Sequence, residues 1–334
     1  MTSAATTALT VPEIHELARS VLSANGCDEA NAAAIATTIS SAERDGSESH
    51  GLFRLPGYVR SLSNGKVNGA ADPQPDRVTP AVIRMQGDGG FAPLALERGV
   101  PLLAEAAATF GIAAMPIINT FHFAALWPET EALAERGLVG MAFTAYKPVV
   151  APAGAREALF GTNPMSVAWP RPGSTPWVVD MATSAKALGE IQIAARDGHE
   201  VPLGTGLDRD GNPTTDPAAI TDGGVILPFG GYKGSAIATM VELFAAGMTG
   251  EQFSFEAGET DVEDGGAARG GELLLAMAPN VIAGSDWEDH SEGFFERLTG
   301  LEGVRTPGQR RHKNRLDPGP RHVNAALIET IRSL

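Results

Sequence analysis

Three side chains able to handle a proton or an anion crowd into six residues of "GSESHGLFRLPGYV": Ser49, His50 and Arg54. A serine beside a histidine suggests acyl transfer first. That chemistry needs a strand-to-helix elbow, G-x-S-x-G, and adjacent serine and histidine at a helix start do not reproduce it. What these types can do is simpler. A histidine with a reference pKa of about 6.5 manages a proton near neutrality, and a planar guanidinium grips both oxygens of a carboxylate. The plain alternative is a polar helix start, which accounts for Gly46, Ser47 and Pro56.

Two glycine loops compete as anion sites. In "VIRMQGDGGFAPLALE", Gly87, Gly89 and Ala92 satisfy G-x-G-x-x-G/A between a strand and a helix. The dinucleotide fingerprint also needs an acid ending the next strand, and "IAAMPIINT" ends on Asn119 and Thr120. A tight turn before a helix is the better local reading. "PFGGYKGSA" places Gly230, Gly231, Lys233 and Gly234 at a helix start, where backbone and cation both favour an anion. It lacks Walker A spacing, and a helix start with one exposed lysine explains it equally well.

Other polar groups sit in apolar surroundings. His122 lies among Phe121, Phe123, Ala124, Ala125, Leu126 and Trp127, either as a satisfied core histidine or beside a flat wall for a planar ring. Thr162 and Asn163 precede Pro164 in a usual turn, and Asp180 ends the apolar run "WVVD". Glu190 lies one helical stripe from Lys186, the spacing of a surface ion pair. Arg305, Arg310, Arg311, Lys313 and Arg315 form the one basic cluster, either a solvated tail or a phosphate site. The seven histidines are scattered, with no H-E-x-x-H and no cysteine pair, so no metal is expected.

The elements that position these residues follow from apolar spacing. Two helices are expected over 11–44, with Asp28 as a cap, then a helix from near Leu55 to Leu62 closed by Asn64 and Gly65. Pro56 fits that first turn. From residue 77, short apolar runs alternate with helices: "AVIRMQ", Leu94 to Phe110, "IAAMPIIN", 128 to 136, "LVGMAFTA", "PMSVAWP", "WVVDMA", Ser184 to Asp197, and "ELLLAMAP". Such alternation indicates an α/β domain with a central sheet. "DRDGNPTTDP" reads as a surface loop, "GYKGSAIATMVELFAAGMTG" as an apolar helix, and "EAGETDVEDGGAARGG" as mobile. The first residues read as a frayed start with no signal peptide.

A chain of 334 residues is long for one domain, and its 43% hydrophobic content argues against disorder. Its apolar runs are too short to span a bilayer, and a formal charge of -15 disfavours nucleic acid and anionic membranes. Cys27 stands alone, which fits a reducing, cytoplasmic setting.

Taken in succession, "SHGLFRLPGYV", "GDGGFAPLALE", "LFGTNPMSVAWP", "VVDMATSAKALGE", "DRDGNPTTDP", "LPFGGYKGSA" and "RTPGQRR" resemble the malate/L-lactate dehydrogenase family that is unrelated to the Rossmann-type enzymes. The resemblance implies an NAD(P)H-dependent oxidoreductase acting as a homodimer; the basic cluster over 305–315, which could meet an extra phosphate, favours NADPH as the cofactor, with NADH possible in its place. It implies an α/β fold whose non-Rossmann cofactor domain, 76–274, has a central mixed sheet flanked by helices. A helical domain for dimerisation and substrate would join 1–75 with 275–334. "NTFHFAALWPETEALAERGLV" looks most like the branch reducing delta-1-piperideine-2-carboxylate and delta-1-pyrroline-2-carboxylate to L-pipecolate and L-proline. The alternatives are a 2-hydroxy acid dehydrogenase and a non-catalytic NADP-binding protein on the same scaffold.

By the same resemblance, Ser49, His50 and Glu190 match the catalytic set, with His50 the acid, Ser49 orienting it and Glu190 stabilising its charge. Arg54, Thr162, Leu188 and Gly189 match substrate positions, Arg54 as the carboxylate clamp. His122, Phe123, Ala124, Ala125, Leu126, Asp180, Met181, Ala182, Lys233, Arg305, Gly308, Arg310 and Arg311 match cofactor contacts. Where that branch has His-Gly-Asp, this chain has Leu188, Gly189 and Glu190.

Overall fold

The fold, obtained as a computed structural model, describes residues 5–262 and 264–334. The expected frayed start lies partly outside these residues. Within them, Thr6–Leu9 form strand β1, paired antiparallel with Arg321–Asn324, so both ends of the chain are tied together. Helix α1 (Val11–Ala24) opens on a capping box between Thr10 and Glu13. Helix α2 (Glu29–Asp45) is capped by Asp28, whose side chain accepts the Asn31 N–H, and ends on left-handed Gly46. Two single turns, Glu48–His50 and Leu52–Arg54, lead into α3 (Leu55–Ser63), with Pro56 in its first turn as expected.

The sheet comes next in sequence. Strand β2 (Gln74–Thr79) is exposed along its length, which is why hydrophobic patterning missed it. Strand β3 (Val82–Phe91), helix α4 (Ala92–Phe110) and strand β4 (Ile112–His122) form the parallel unit. Helix α5 (Trp127–Ala134) precedes β5 (Val139–Thr144), β6 (Met165–Trp169) and β7 (Trp177–Met181). After α6 (Leu188–Asp197), short strands β8 (Gly206–Leu207), β9 (Pro213–Thr214) and β10 (Val225–Ile226) make a small separate sheet. Strand β11 (Ala268–Met277) returns to the centre of the main sheet, and β12 is the Arg321–Asn324 strand. The main sheet runs β2-β3-β4-β11-β5-β6-β7, and only β3 and β4 are parallel.

One core packs α1, α2 and α3 against Val323, Ile328 and Ile331 from the C-terminal end. A second fills the space between α4 and the sheet. The fold class is the mixed α/β arrangement read from the sequence. The sheet spans Gln74 to Met277, so domain boundaries at 75 and 274 would cut β2 and β11.

The glycines of "GDGG" lie inside bulged β3 rather than in a turn before a helix. A Cβ on Gly87 would meet the Asn119 carbonyl at 2.8 Å, and one on Gly90 would collide with Ala71. They let two backbones approach each other. Part of the segment read as mobile is ordered, as the Ser254–Glu259 helix and the start of β11.

Candidate active site

The turns between α2 and α3 are clamped from beneath. Glu43 of α2 accepts the Leu52 N–H at 2.8 Å, and its carboxylate fills the space a Cβ on Gly51 would take. Burial pushes the Glu43 carboxyl up to about 7. On this support Ser49 Oγ lies 3.1 Å from His50 Nδ1, so the predicted pair is formed. Five residues after Ser49, the Arg54 guanidinium lies over the rings of Phe123 (4.7 Å) and Phe53 (5.6 Å). Its buried Nε has no hydrogen-bond partner, and among the described residues no carboxylate pairs with it. Burial pulls its pKa below the usual arginine range. An enclosed guanidinium without a counter-ion is a receptor for an anion.

His50 departs from expectation. Burial, then the charges of Arg54 and His122, lower its pKa to about 3, so the free protein holds it neutral. Glu190 does not relieve this. It is exposed, and its carboxylate pairs at 3.2 Å with Lys186, which lies just before the helix that carries Glu190. The surface ion pair is what forms, although Glu190 still borders the cleft.

Helix α6 starts at Leu188, not Ser184. Residues 184–185 are spent on pairing with Leu227 and Pro228, since Ser184 bridges Pro228 and Ala185 donates to the Leu227 carbonyl. Gly189 in its first turn is buried against Arg54 and Ser49: a Cβ there would stand 2.7 Å from Arg54 Nη2 and 3.1 Å from Ser49 Cβ. Thr162 is held by Asn163, whose backbone is left-handed (φ 42) and whose side chain donates to Glu242 at 2.7 Å.

A cleft of about 560 Å³ joins these groups, bordered by Ser49, His50, Thr162, Ala124, Asp180 and Arg311 among others. Sharing His50, Ala124 and Thr162 with it, a small inner cavity adds Arg54, His122, Phe123, Tyr146 and Leu188. Ala125, Met181, Ala182 and Arg310 also face the cleft. Asp180 accepts the N–H groups of Leu126 (3.1 Å) and Trp127 (3.0 Å), fixing the start of α5, and burial pushes its pKa up to about 6. Arg311 lies over the Trp127 ring at 5.1 Å and donates to the Val178 carbonyl. This combination of apolar wall and paired guanidinium groups fits a long, anionic ligand with flat rings, as a nicotinamide dinucleotide is.

Four predicted contacts fall elsewhere. Leu126 faces the core and is fully buried. Lys233 is exposed on the Tyr232–Glu242 helix, away from the cleft lining. Arg305 is exposed outside the lining. Gly308 is left-handed (φ 84) and starts the Gln309–Arg315 helix. Sequence reasoning missed Tyr146 of the inner cavity, and it missed that topology brings together His122, Glu129 and Glu272. The available signal for Glu272 was an acid heading the apolar run "ELLLAMAP".

The family model described as malate/L-lactate dehydrogenase matches residues 9–326. A delta(1)-pyrroline-2-carboxylate/delta(1)-piperideine-2-carboxylate reductase of Pseudomonas putida is 44% identical, over 91% of this chain and 89% of its own. A delta(1)-pyrroline-2-carboxylate reductase of Pseudomonas fluorescens is 43% identical over 98% of both. The crystal structure of delta1-piperideine-2-carboxylate reductase from Pseudomonas syringae superposes with a TM-score of 0.92 at 42% identity, covering 98% of this chain and 99% of that one.

Proposed function

The chain belongs to the malate/L-lactate dehydrogenase family and is an oxidoreductase, and on that premise we propose that it reduces small cyclic imino acids at C2, delta-1-piperideine-2-carboxylate and delta-1-pyrroline-2-carboxylate. Reductases of this family use a nicotinamide cofactor, which supplies the hydride when bound. The observation that carries the reading is the unpaired Arg54 guanidinium beside the Ser49–His50 pair, in a cavity opening on a dinucleotide-sized cleft.

Arg54 takes the substrate carboxylate and so fixes the neighbouring carbon. The same contact changes His50. Arg54's charge is one of the two that depress its pKa, and a carboxylate seated on Arg54 offsets that charge. His50 then gains a proton where one is needed, at the imine nitrogen, while Ser49 holds the ring in place. Leu188 gives the inner cavity an apolar side suited to ring methylenes.

NADPH is the proposed cofactor because Arg310 and Arg311 border the cleft and can meet an extra phosphate. Arg311→Ala should raise KM for NADPH far more than for NADH, and equal effects on both would remove the preference. The protein is further proposed to be a cytoplasmic homodimer, to be checked by sedimentation. The decisive assay is a rate panel of both cyclic imines against pyruvate and other 2-oxo acids with each cofactor. Faster turnover of the 2-oxo acids would replace this substrate class.

A further inference from the structure

His122 stands between two cavities. One is the inner cavity that holds His50 and Arg54, and the other, about 280 Å³, lies beside α4 and α5 and is lined by Thr38, Pro93, Val100, Glu129 and Arg136. Its Nε2 is 3.6 Å from Glu129 Oε1 and 3.5 Å from Glu272 Oε2, and all three side chains are buried. His122 Nε2, Glu129 Oε2 and both Glu272 oxygens have no hydrogen-bond partner, and among the described residues no lysine or arginine pairs with either acid. Two enclosed carboxylates and an imidazole cannot all carry full charge at such a site, so the set must bind an extra ion, a proton or a cation.

The Ala124 N–H faces His122 Nδ1 at 3.5 Å, and Nε2 is the ring nitrogen turned toward the two carboxylates.

We propose that His122, Glu129 and Glu272 form a proton store that charges His50 once the substrate carboxylate is seated on Arg54, filled from solvent through the second cavity; this rests on the reductive reading above. Each reduction adds a hydride to the substrate carbon and one proton from His50 to nitrogen. His50 takes that proton from the store as the substrate binds, and the store regains one from water before the next turnover. His122 is the member facing His50 across the inner cavity, and the two glutamates are positioning residues behind it.

The electrostatic surroundings agree. Burial, with Glu129's charge added and His122 opposing, pushes Glu272 up to about 8. Burial works against charge on His122, but Glu272, Glu129 and Asp180 outweigh it and raise its pKa. The charged and titratable groups around the set are Asp180 from β7, His50 and Arg54 across the inner cavity, Tyr58 from α3, and Glu97 and Arg136 on the second cavity.

Infrared spectroscopy of the unliganded protein at neutral pH should show a buried protonated carboxyl band that Glu272→Gln removes. In the same variant kcat should fall roughly tenfold at pH 8 with the dinucleotide KM unchanged, a larger solvent deuterium effect, and partial rescue by added methylammonium buffer. Glu129→Gln serves as a second variant should the first fail to fold. Absence of the band, a stoichiometric divalent metal in the purified protein, or an unchanged kcat and isotope effect would overturn the store. The band needs no turnover, so a wild-type protein inactive on imines and 2-oxo acids would sink the reductase reading separately.

Discussion

Two single residues carry opposite kinds of electrostatic tension. Arg54 is a cation enclosed by Phe53 and Phe123 with its Nε unpaired, a cost that a carboxylate ligand removes. Arg54→Ala should therefore lower kcat/KM for the imino acid by about 10²-fold or more, while the dissociation constant of the dinucleotide stays put. Arg54→Lys should recover only part of the loss, since an ammonium cannot form the two-point grip. Steady-state kinetics with cofactor fluorescence titration separates the two constants. Glu43 is the reverse case, a buried acid beneath the turns that carry Ser49, His50 and Arg54, whose pKa reaches about 7. A carboxyl raised in the folded state contributes stability that is complete below its unfolded value of about 4.3 and is lost as pH rises through about 7. Glu43→Gln keeps an acceptor for the Leu52 N–H without the charge. Its stability relative to wild type should improve between pH 5 and pH 8 by up to about 3 kcal/mol in urea titrations. A constant difference across that range would show that Glu43 does not titrate there.

At the scale of elements, the site depends on α6 meeting the turns after α2, and Gly189 is where they meet. An added Cβ would press on Arg54 Nη2 and Ser49 Cβ, so Gly189→Ala should raise KM for the imino acid several-fold and leave dinucleotide binding alone. Unchanged kinetics would mean that the guanidinium shifts freely, against its packing on Phe123. How legible was this arrangement? The helices over 11–45 and 55–63 and the strands β3 to β7 were readable, because capping residues and apolar spacing act locally. Exposed β2 has no buried stripe to betray it, and the start of α6 was hidden because Leu227 and Pro228, about forty residues on, claim the chain at Ser184 and Ala185. In the site, Ser49, His50 and Arg54 were legible from their crowding in one short stretch. The neutral state of His50 was not, since burial and the charge of His122 come from the fold. Glu272 meets His122 only through the pairing of β11 with β4, far along the chain, and Glu129, although near in sequence, only through the seating of α5.

For the whole molecule, the C-terminal segment closes back on the cleft, and one buried ion network holds it there. Arg315 pairs with Asp45 at the end of α2 and with Glu131 of α5, both at 2.6 Å, while Asn314 donates to the Asp45 carbonyl. The Gln309–Arg315 helix thereby carries Arg310 and Arg311 to the cleft. Burial opposes charge on Asp45, but Arg315 and Arg44 outweigh it and hold its pKa below the usual value. A lowered carboxylate contributes stability above its unfolded pKa of about 3.9 that is lost as pH falls through the folded one, so the strap should loosen first in acid. Arg315→Ala leaves Glu131 without its arginine and Asp45 with Arg44 alone, and should cost about 3 kcal/mol at neutral pH, less than a fully enclosed pair because Arg315 is partly exposed. Dinucleotide affinity should fall with it although Arg315 does not border the cleft, and KM for the imino acid should change little, since Arg54 belongs to a different segment. Isothermal titration with NADPH on a variant shown to be folded by circular dichroism measures this. Affinity equal to wild type would mean that His312, 3.0 Å from the Pro176 carbonyl, and Arg311 on Trp127 seat the helix without the network.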